Sequence, residues 1–465
     1  MKVKKNKLIL SALAAVVLNG CTAIGKIEND TVSQLPVGDQ RYTVGNHSKQ
    51  HAPGETLFLL AFSGGGTRAA ALSYGVMEEL KDTHYQLDGK EVRLLDDVDR
   101  ISSVSGGSFT SAYYGLFGDK IFDNFKDEFL YKDVQGDLSG KILNVFRLVG
   151  SLFSTKSRTE VAIDYYDKHI FKGKTFADIQ AAGGPLILIN STDLNSHSQF
   201  IFLQGQFDFL CSDLSQFKVA RAVAASSAVP ILFPPILLER HDDCHFKKPE
   251  WLTAAESKAE QTDDQRLGQL VKALNFYLDK DKPPYVTLLD GGISDNLGLR
   301  TILKTVSLSG GANKASQDII LNGRKLPKRL VVIIVDASTL SESDIGKTTT
   351  LPSIGDTISA VTDIQLHAYN TETNTLFKEK VAQWASTLST KEHPVTPYFI
   401  NLDVTDIQKK EDRLFFHQVP TSFSLEKEQA DKLIVLAKGM LRQEPEYQKL
   451  LVELGASNGL IMEPK

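Results

Sequence analysis

The sequence is poor in cysteine and has no excess of positive charge. Its 465 residues include three cysteines, and 52 lysines and arginines stand against 57 aspartates and glutamates, a formal charge of -5. Lys2, Lys4, Lys5 and Lys7 fall within the first 20 residues, which hold no acid, so the rest of the chain is more acidic still. Sequence-independent nucleic-acid binding needs clustered positive charge, so no nucleic-acid partner is expected. Beyond the N-terminus there is no second apolar run of membrane-spanning length, no internal repeat and no low-complexity tract. What remains is ordinary globular material, 42% hydrophobic and 23% charged, ample for a core. One large α/β domain with insertions is compatible with this length.

The four lysines precede an apolar run from Leu8 to Leu18. That is the charged-then-apolar layout of a secretory signal, too short to cross a bilayer comfortably. It ends in Leu18-Asn19-Gly20-Cys21, which resembles the bacterial lipobox, whose cysteine becomes lipidated. The expectation is a signal peptide over residues 1–20 and an acylated Cys21 holding the protein on a membrane. Each buried methylene of such an anchor contributes about 0.8 kcal/mol. Thr22, after the cysteine, is not the aspartate that resembles an inner-membrane retention signal, which favours the outer membrane of a bacterial envelope. Residues 21–53 are polar and irregular and read as a tether. Cys211 and Cys244 are then an even pair in an oxidising compartment and candidates for a disulfide, left open because sequence gives no Cα distance.

From Leu57 onward, apolar runs alternate with helical patterns. Strands are expected at Leu57–Phe62, Asp99–Val104, Pro185–Ile189, Tyr285–Leu289, Leu330–Val335 and Tyr398–Leu402. Helices are expected at Arg68–Lys81, Ser108–Gly115, Asp264–Leu278 and Asp356–Leu388. Continuous apolar strands between helices imply an α/β fold with a mainly parallel central sheet flanked by helices. Phe122–Asp164 and His241–Asp281 read as insertions, the first as a cap over a site. The core is expected over 54–310, with 311–465 continuing the α/β pattern and adding C-terminal helices.

Three turns carry chemistry. In Ser102-Ser103-Val104-Ser105-Gly106-Gly107 a serine sits between a strand and a helix, where a sharp turn forces its hydroxyl outward. Ser103 replaces the first glycine of the usual G-x-S-x-G. In Phe62-Ser63-Gly64-Gly65-Gly66-Thr67-Arg68-Ala69, three glycines leave main-chain N–H groups bare at a helix start. That loop is able to stabilise an oxyanion, hold a dinucleotide phosphate, or simply pack a tight turn; all three readings stand at this point. In Leu288-Leu289-Asp290-Gly291-Gly292 an aspartate ends an apolar strand, either as a general base or as a turn residue. Asp295-Asn296 reads as a helix cap. His241-Asp242-Asp243-Cys244-His245 has metal-ligand types but no second cluster, so no metal and no cofactor are assigned.

Taken together and in this order, these turns resemble the patatin-like phospholipase family. Ala224-Ala225-Ser226-Ser227-Ala228-Val229-Pro230 is similar to its Ala-Ser-x-Ala-x-Pro block, and Asp290 to Gly298 looks like its catalytic-aspartate block. The resemblance covers about Leu57 to Leu303. It implies Ser105 as nucleophile, Asp290 as its base in a dyad without histidine, and Gly64, Gly65 and Gly66 as the oxyanion hole with Arg68 nearby. The implied activity is hydrolysis of phospholipid or other acyl-ester lipids through an acyl-enzyme, in a patatin-like fold. Two alternatives stand beside it: an envelope lipoprotein that binds lipid without catalysis, and a dinucleotide-binding oxidoreductase. Oligomeric state is not legible.

Overall fold

The computed structural model describes residues 25–51, 54–138, 157–230, 232–312, 314, 326–339, 349, 351–404 and 407–456. The expected signal peptide and Cys21 lie outside them. The strands are β1 (Thr56–Phe62), β2 (His84–Leu87), β3 (Lys90–Arg93), β4 (Val98–Val104), β5 (Leu186–Asp193), β6 (Ser198–Ile201), β7 (Ile236–Glu239), β8 (Tyr285–Asp290), β9 (Arg329–Asp336) and β10 (Thr396–Asp403). The helices used below are α1 (Val44–Gln50), α2 (Gly66–Asp82), α3 (Gly106–Phe117), α4 (Arg158–His169), α5 (Val219–Ser226), α6 (Glu250–Thr262), α7 (Gln265–Leu278), α8 (Leu299–Leu308), α9 (Ile354–Leu388) and α10 (Lys427–Gln443).

The main sheet runs β10-β9-β1-β4-β5-β8-β7, with β6 also on β5. From β10 to β5 all neighbours are parallel; β8, β7 and β6 are added antiparallel. This is the mainly parallel α/β sheet expected from the apolar runs. Those runs are continuous because both faces are covered. Phe58, Leu60 and Phe62 of β1 face one core with Val331, Ile333 and Val335 of β9. Leu59 and Ala61 face the other with Leu330, Val332 and Ile334. The first face is covered by α2, α3 and α10, the second by α8 and by Phe377, Val381 and Ala385 of α9. Residues beyond 310 therefore supply β10 at one edge of the sheet and β9 inside it, beside β1.

Two readings change. Residues 25–51 are not a free tether. Tyr42 is buried and its hydroxyl donates to the Ile187 carbonyl at 3.0 Å, while Asn29 donates to Glu239 O at 2.7 Å and accepts from Glu239 N at 2.8 Å. Asn29 thus pairs like a peptide with the open edge of β7, and Glu28 pairs with the buried Arg221 guanidinium. A polar composition hid a strap that satisfies a sheet edge. The described part of the cap-like insertion after Phe122 also belongs to the core. Phe129 stacks on Phe109 at 4.4 Å between ring centroids, and Phe125 is fully buried. Residues 139–156 of that insertion lie outside the described residues. In the other insertion, Asp264 caps α7 through its carboxylate, and α6 was not anticipated.

Candidate active site

Register brings the key residues together. Val104 of β4 pairs with Asn190 of β5, and the next residue of β5, Ser191, pairs with Asp290 of β8. Ser105 and Asp290, 185 positions apart in sequence, therefore end on neighbouring parts of three adjacent strands. Ser105 has φ 50° and ψ -119°, neither strand nor helix, a conformation held only because its surroundings demand it. Its N–H donates to Ser226 Oγ at 2.9 Å. Ser103, the departure from glycine, places its hydroxyl 2.6 Å from Ser111 Oγ and 3.2 Å from Ser108 Oγ, so the extra atoms are absorbed in a buried hydroxyl cluster.

Asp290 is buried, and burial pushes its carboxyl up to about 6. The Gly292 N–H, donating to Oδ1 at 2.7 Å, and the Ser105 hydroxyl oppose that rise by favouring the charged form. A carboxyl near 6 beside a serine hydroxyl is poised to accept a proton close to neutral pH. Neither partner is a histidine. His84 bonds the Asp82 carbonyl, and His197 sits in the β5–β6 turn.

The segment that sequence reading left without a role joins the two. At the C-terminal end of α5, Ser226 Oγ accepts from Ser105 N and donates to Asn190 O at 2.6 Å. Ser226 O accepts from Gly291 N at 3.1 Å, and Ala228 O from Asp290 N at 3.0 Å. One turn thus fixes the backbones of both candidate residues. The Ala-Ser-x-Ala pattern signalled this position, but its hydrogen bonds are not readable from residue types.

The glycine loop lies against the elbow. A Cβ at Gly64 would be 3.3 Å from Ser105 Cβ, and one at Gly106 would meet Gly66 O at 1.9 Å. Gly64 itself is not a donor to the site, because its N–H is held by the Asn296 carbonyl at 3.1 Å. The bare amides are those of Gly65 and Gly66, which have no acceptor among the described residues, and of Gly106, which opens α3. Gly106 was missed, although an amide just after the nucleophile is the usual partner in such elbows.

Arg68 also departs from expectation. Its Nε, Nη1 and Nη2 donate to Ala337 O at 3.1 Å, Val419 O at 2.6 Å and Thr421 Oγ1 at 2.9 Å. The guanidinium ties the C-terminal segment to α2 and is not aimed at the elbow. Arg68→Met is expected to cost about 2–4 kcal/mol of stability, by leaving buried carbonyls unpaired, as read by urea denaturation. The same segment answers the dinucleotide reading. Ser422 O accepts from Thr67 N at 2.8 Å and would lie 2.3 Å from a Cβ on Gly66, so protein already covers the helix start a pyrophosphate would need. Asp295 caps α8 through Arg300 N at 2.7 Å, while Asn296 turns back onto the glycine loop.

Cys211 and Cys244 are joined as a disulfide with Cα atoms 5.4 Å apart. His241 bonds the Asn29 carbonyl, and among the described residues no group of three metal-ligand types is found.

A family model described as patatin-like phospholipase matches residues 60–303, just over half of the chain. Three solved structures of human GIVD cytosolic phospholipase A2 are similar to it. They are the protein itself (13% identity, TM-score 0.40), its complex with methyl gamma-linolenyl fluorophosphonate and terbium chloride (12%, 0.37) and its complex with the fluorophosphonate (11%, 0.37). Each comparison covers 94% of this chain and 66% of the human one, so the chain spans somewhat less than two thirds of that length. Comparison with curated proteins gives no match. With its family-matched segment carrying the glycine loop, the serine elbow and the strand-end aspartate, the chain belongs to the patatin-like phospholipase family.

Proposed function

We propose that the protein is a lipid acyl hydrolase of the phospholipase A or lysophospholipase type, working through Ser105 and Asp290. The observation that carries this reading is a serine held at positive φ beside a buried carboxyl raised to about 6. Ionised Asp290 takes the Ser105 proton as Oγ attacks the ester carbonyl. The carbonyl oxygen becomes an oxyanion beside the amides of Gly65, Gly66 and Gly106. Its collapse expels the alcohol, which receives the proton from Asp290, and leaves an acyl-serine. Water, deprotonated by Asp290, then attacks the acyl carbon and releases the fatty acid and free serine.

The proposal includes export and anchoring on a membrane through acylated Cys21, at the outer membrane of a bacterial envelope. It is supported by the charged-then-apolar N-terminus ending in cysteine, and by a disulfide of the kind that persists in oxidising compartments. An anchor of this kind keeps the enzyme at its substrate and raises the effective concentration.

The test is hydrolysis of phospholipid and lysophospholipid vesicles by purified protein. Ser105→Ala is expected to lower the rate by about 10³-fold or more. Unchanged hydrolysis would remove Ser105 from the mechanism.

A further inference from the structure

Between α7, α8, α9 and the β5–β6 turn lies a cavity of about 1180 Å³. It is larger than the roughly 300–1,000 Å³ of most small-molecule sites. It is not the space above the dyad; neither Ser105 nor the glycine loop lines it. We propose that this cavity is a second binding site, for an amphiphile with one acyl chain and an anionic headgroup.

Charge is the first reason. Arg300 and Lys304 of α8 and Lys380 of α9 line the cavity, all half-buried. Lys258 of α6, Arg266 and Lys272 of α7, and Lys282 stand exposed around it. Among the described residues none of these seven forms an ion pair, although Lys248 nearby does so with Glu256. The cavity's two carboxylates are engaged elsewhere. Asp264 Oδ1 caps α7, and Asp279 Oδ1 accepts from Asp281 N at 3.0 Å. Seven cations share one hollow with two lining carboxylates, and Asp295 beyond the lining attracts Arg300 and Lys304, so positive charge stays in excess and an anion relieves the repulsion.

Placement is the second. Arg300 is fixed, with its guanidinium 3.7 Å from the Tyr369 ring centroid and its Nε donating to Thr373 Oγ1 at 3.0 Å. Its two Nη nitrogens have no hydrogen-bond partner among the described residues. Lys304 Nζ reaches only the Gln199 carbonyl, at 3.5 Å. Burial lowers the Lys304 ammonium to about 8 against the pull of Asp295, so it has lost water without gaining a close counter-ion.

The third reason is the apolar wall. Leu270 and Phe276 of α7, Leu303 and Val306 of α8, and Leu376 and Trp384 of α9 line the same space and are only half-buried. A small inorganic anion would leave this surface wet, and a neutral lipid would leave the cations unpaired. An acyl chain with an anionic head satisfies both. The site also touches the dyad from behind. Ser294, in the lining, bonds Thr192 Oγ1 at 2.8 Å, and that hydroxyl donates to the Asp290 carbonyl at 2.8 Å.

The chain has two tryptophans, so Trp251→Phe leaves Trp384 as the only reporter. In that protein, carrying Ser105→Ala as well so that no ester is cleaved, 9,10-dibromostearate, whose bromines quench indole at contact, is expected to give saturable quenching. Its methyl ester, lacking the charge, is expected to give none. Lys304→Met should weaken the apparent affinity about tenfold, on the scale of one charge-assisted hydrogen bond. Lys258→Glu with Lys272→Glu, both on exposed positions, should weaken it by about threefold or more with unchanged Tm. Displacement by laurate marks a carboxylate head and displacement by dodecyl phosphate a phosphate head; either supports the site. No saturable quenching, equal quenching by the ester, affinity indifferent to both sets of substitutions, or displacement by neither competitor overturns it. The inference rests on the cavity alone, so its failure leaves the Ser105 reading standing.

Discussion

Asp290→Asn is expected to lower kcat for acyl-ester hydrolysis by about three orders of magnitude with little change in KM. Asparagine fills the same volume and its side-chain oxygen still accepts the 2.7 Å bond from Gly292 N. What it lacks is a proton-accepting charge, and no histidine is among the partners of Asp290 to replace it. Stability supplies the control. The folded protein holds this carboxyl at about 6, above its usual value, so above pH 6 it carries the cost of a buried charge that asparagine does not have. The variant should therefore be as stable as the parent, or more so, at pH 7 to 8 while nearly inactive. The parent should keep full kcat/KM above about pH 6 and lose about tenfold per pH unit below it, because the base acts only when ionised. A variant that stays active with the same inflection would assign proton transfer elsewhere.

Gly106→Ala is the second large effect, expected to reduce kcat by about 10²- to 10³-fold. A Cβ there would sit 1.9 Å from Gly66 O and 2.8 Å from Gly66 N, so the glycine loop must move away from the elbow. That motion displaces the amides of Gly65 and Gly66 relative to Ser105 and shifts the Gly106 amide as well. The substitution leaves Ser105 and Asp290 chemically intact. Reaction with a small phosphonate ester should slow in parallel with hydrolysis, since both reactions pass through the same charged oxygen. Hydrolysis at the parent rate by a folded Gly106→Ala protein would mean that these amides do not hold the oxyanion.

The fold was legible where apolar runs were continuous. β1 and β9 announce themselves because alternate side chains enter two different cores, leaving no polar face to interrupt the pattern. That β9 lies beside β1 was not legible, since order in a parallel sheet is set by crossover packing that residue types do not encode. The hairpin of β2 and β3 escaped notice because its strands are short and mostly polar, turning at Asp88 and Gly89. Asn29 looked like linker because its value is positional, pairing with both peptide groups of Glu239.

At the site, residue types pointed to the groups that the proposed reaction uses and misjudged the contacts of some of them. Ser105, Asp290 and the glycine loop follow from their turn positions. Arg68 has the charge to aid an oxyanion, yet a carbonyl and a hydroxyl from a segment about 350 positions away claim it. Gly64 looked like a third donor until Asn296 took its N–H. Both outcomes depend on long-range contacts, which a linear motif does not contain.

The most direct measurement is peptide mapping by mass spectrometry after reaction with a fluorophosphonate probe. One adduct on Ser105 is predicted, absent from Ser105→Ala and formed much more slowly by Asp290→Asn. An adduct on another serine, or none on a folded protein, would contradict the assignment of the nucleophile and with it the account of the site.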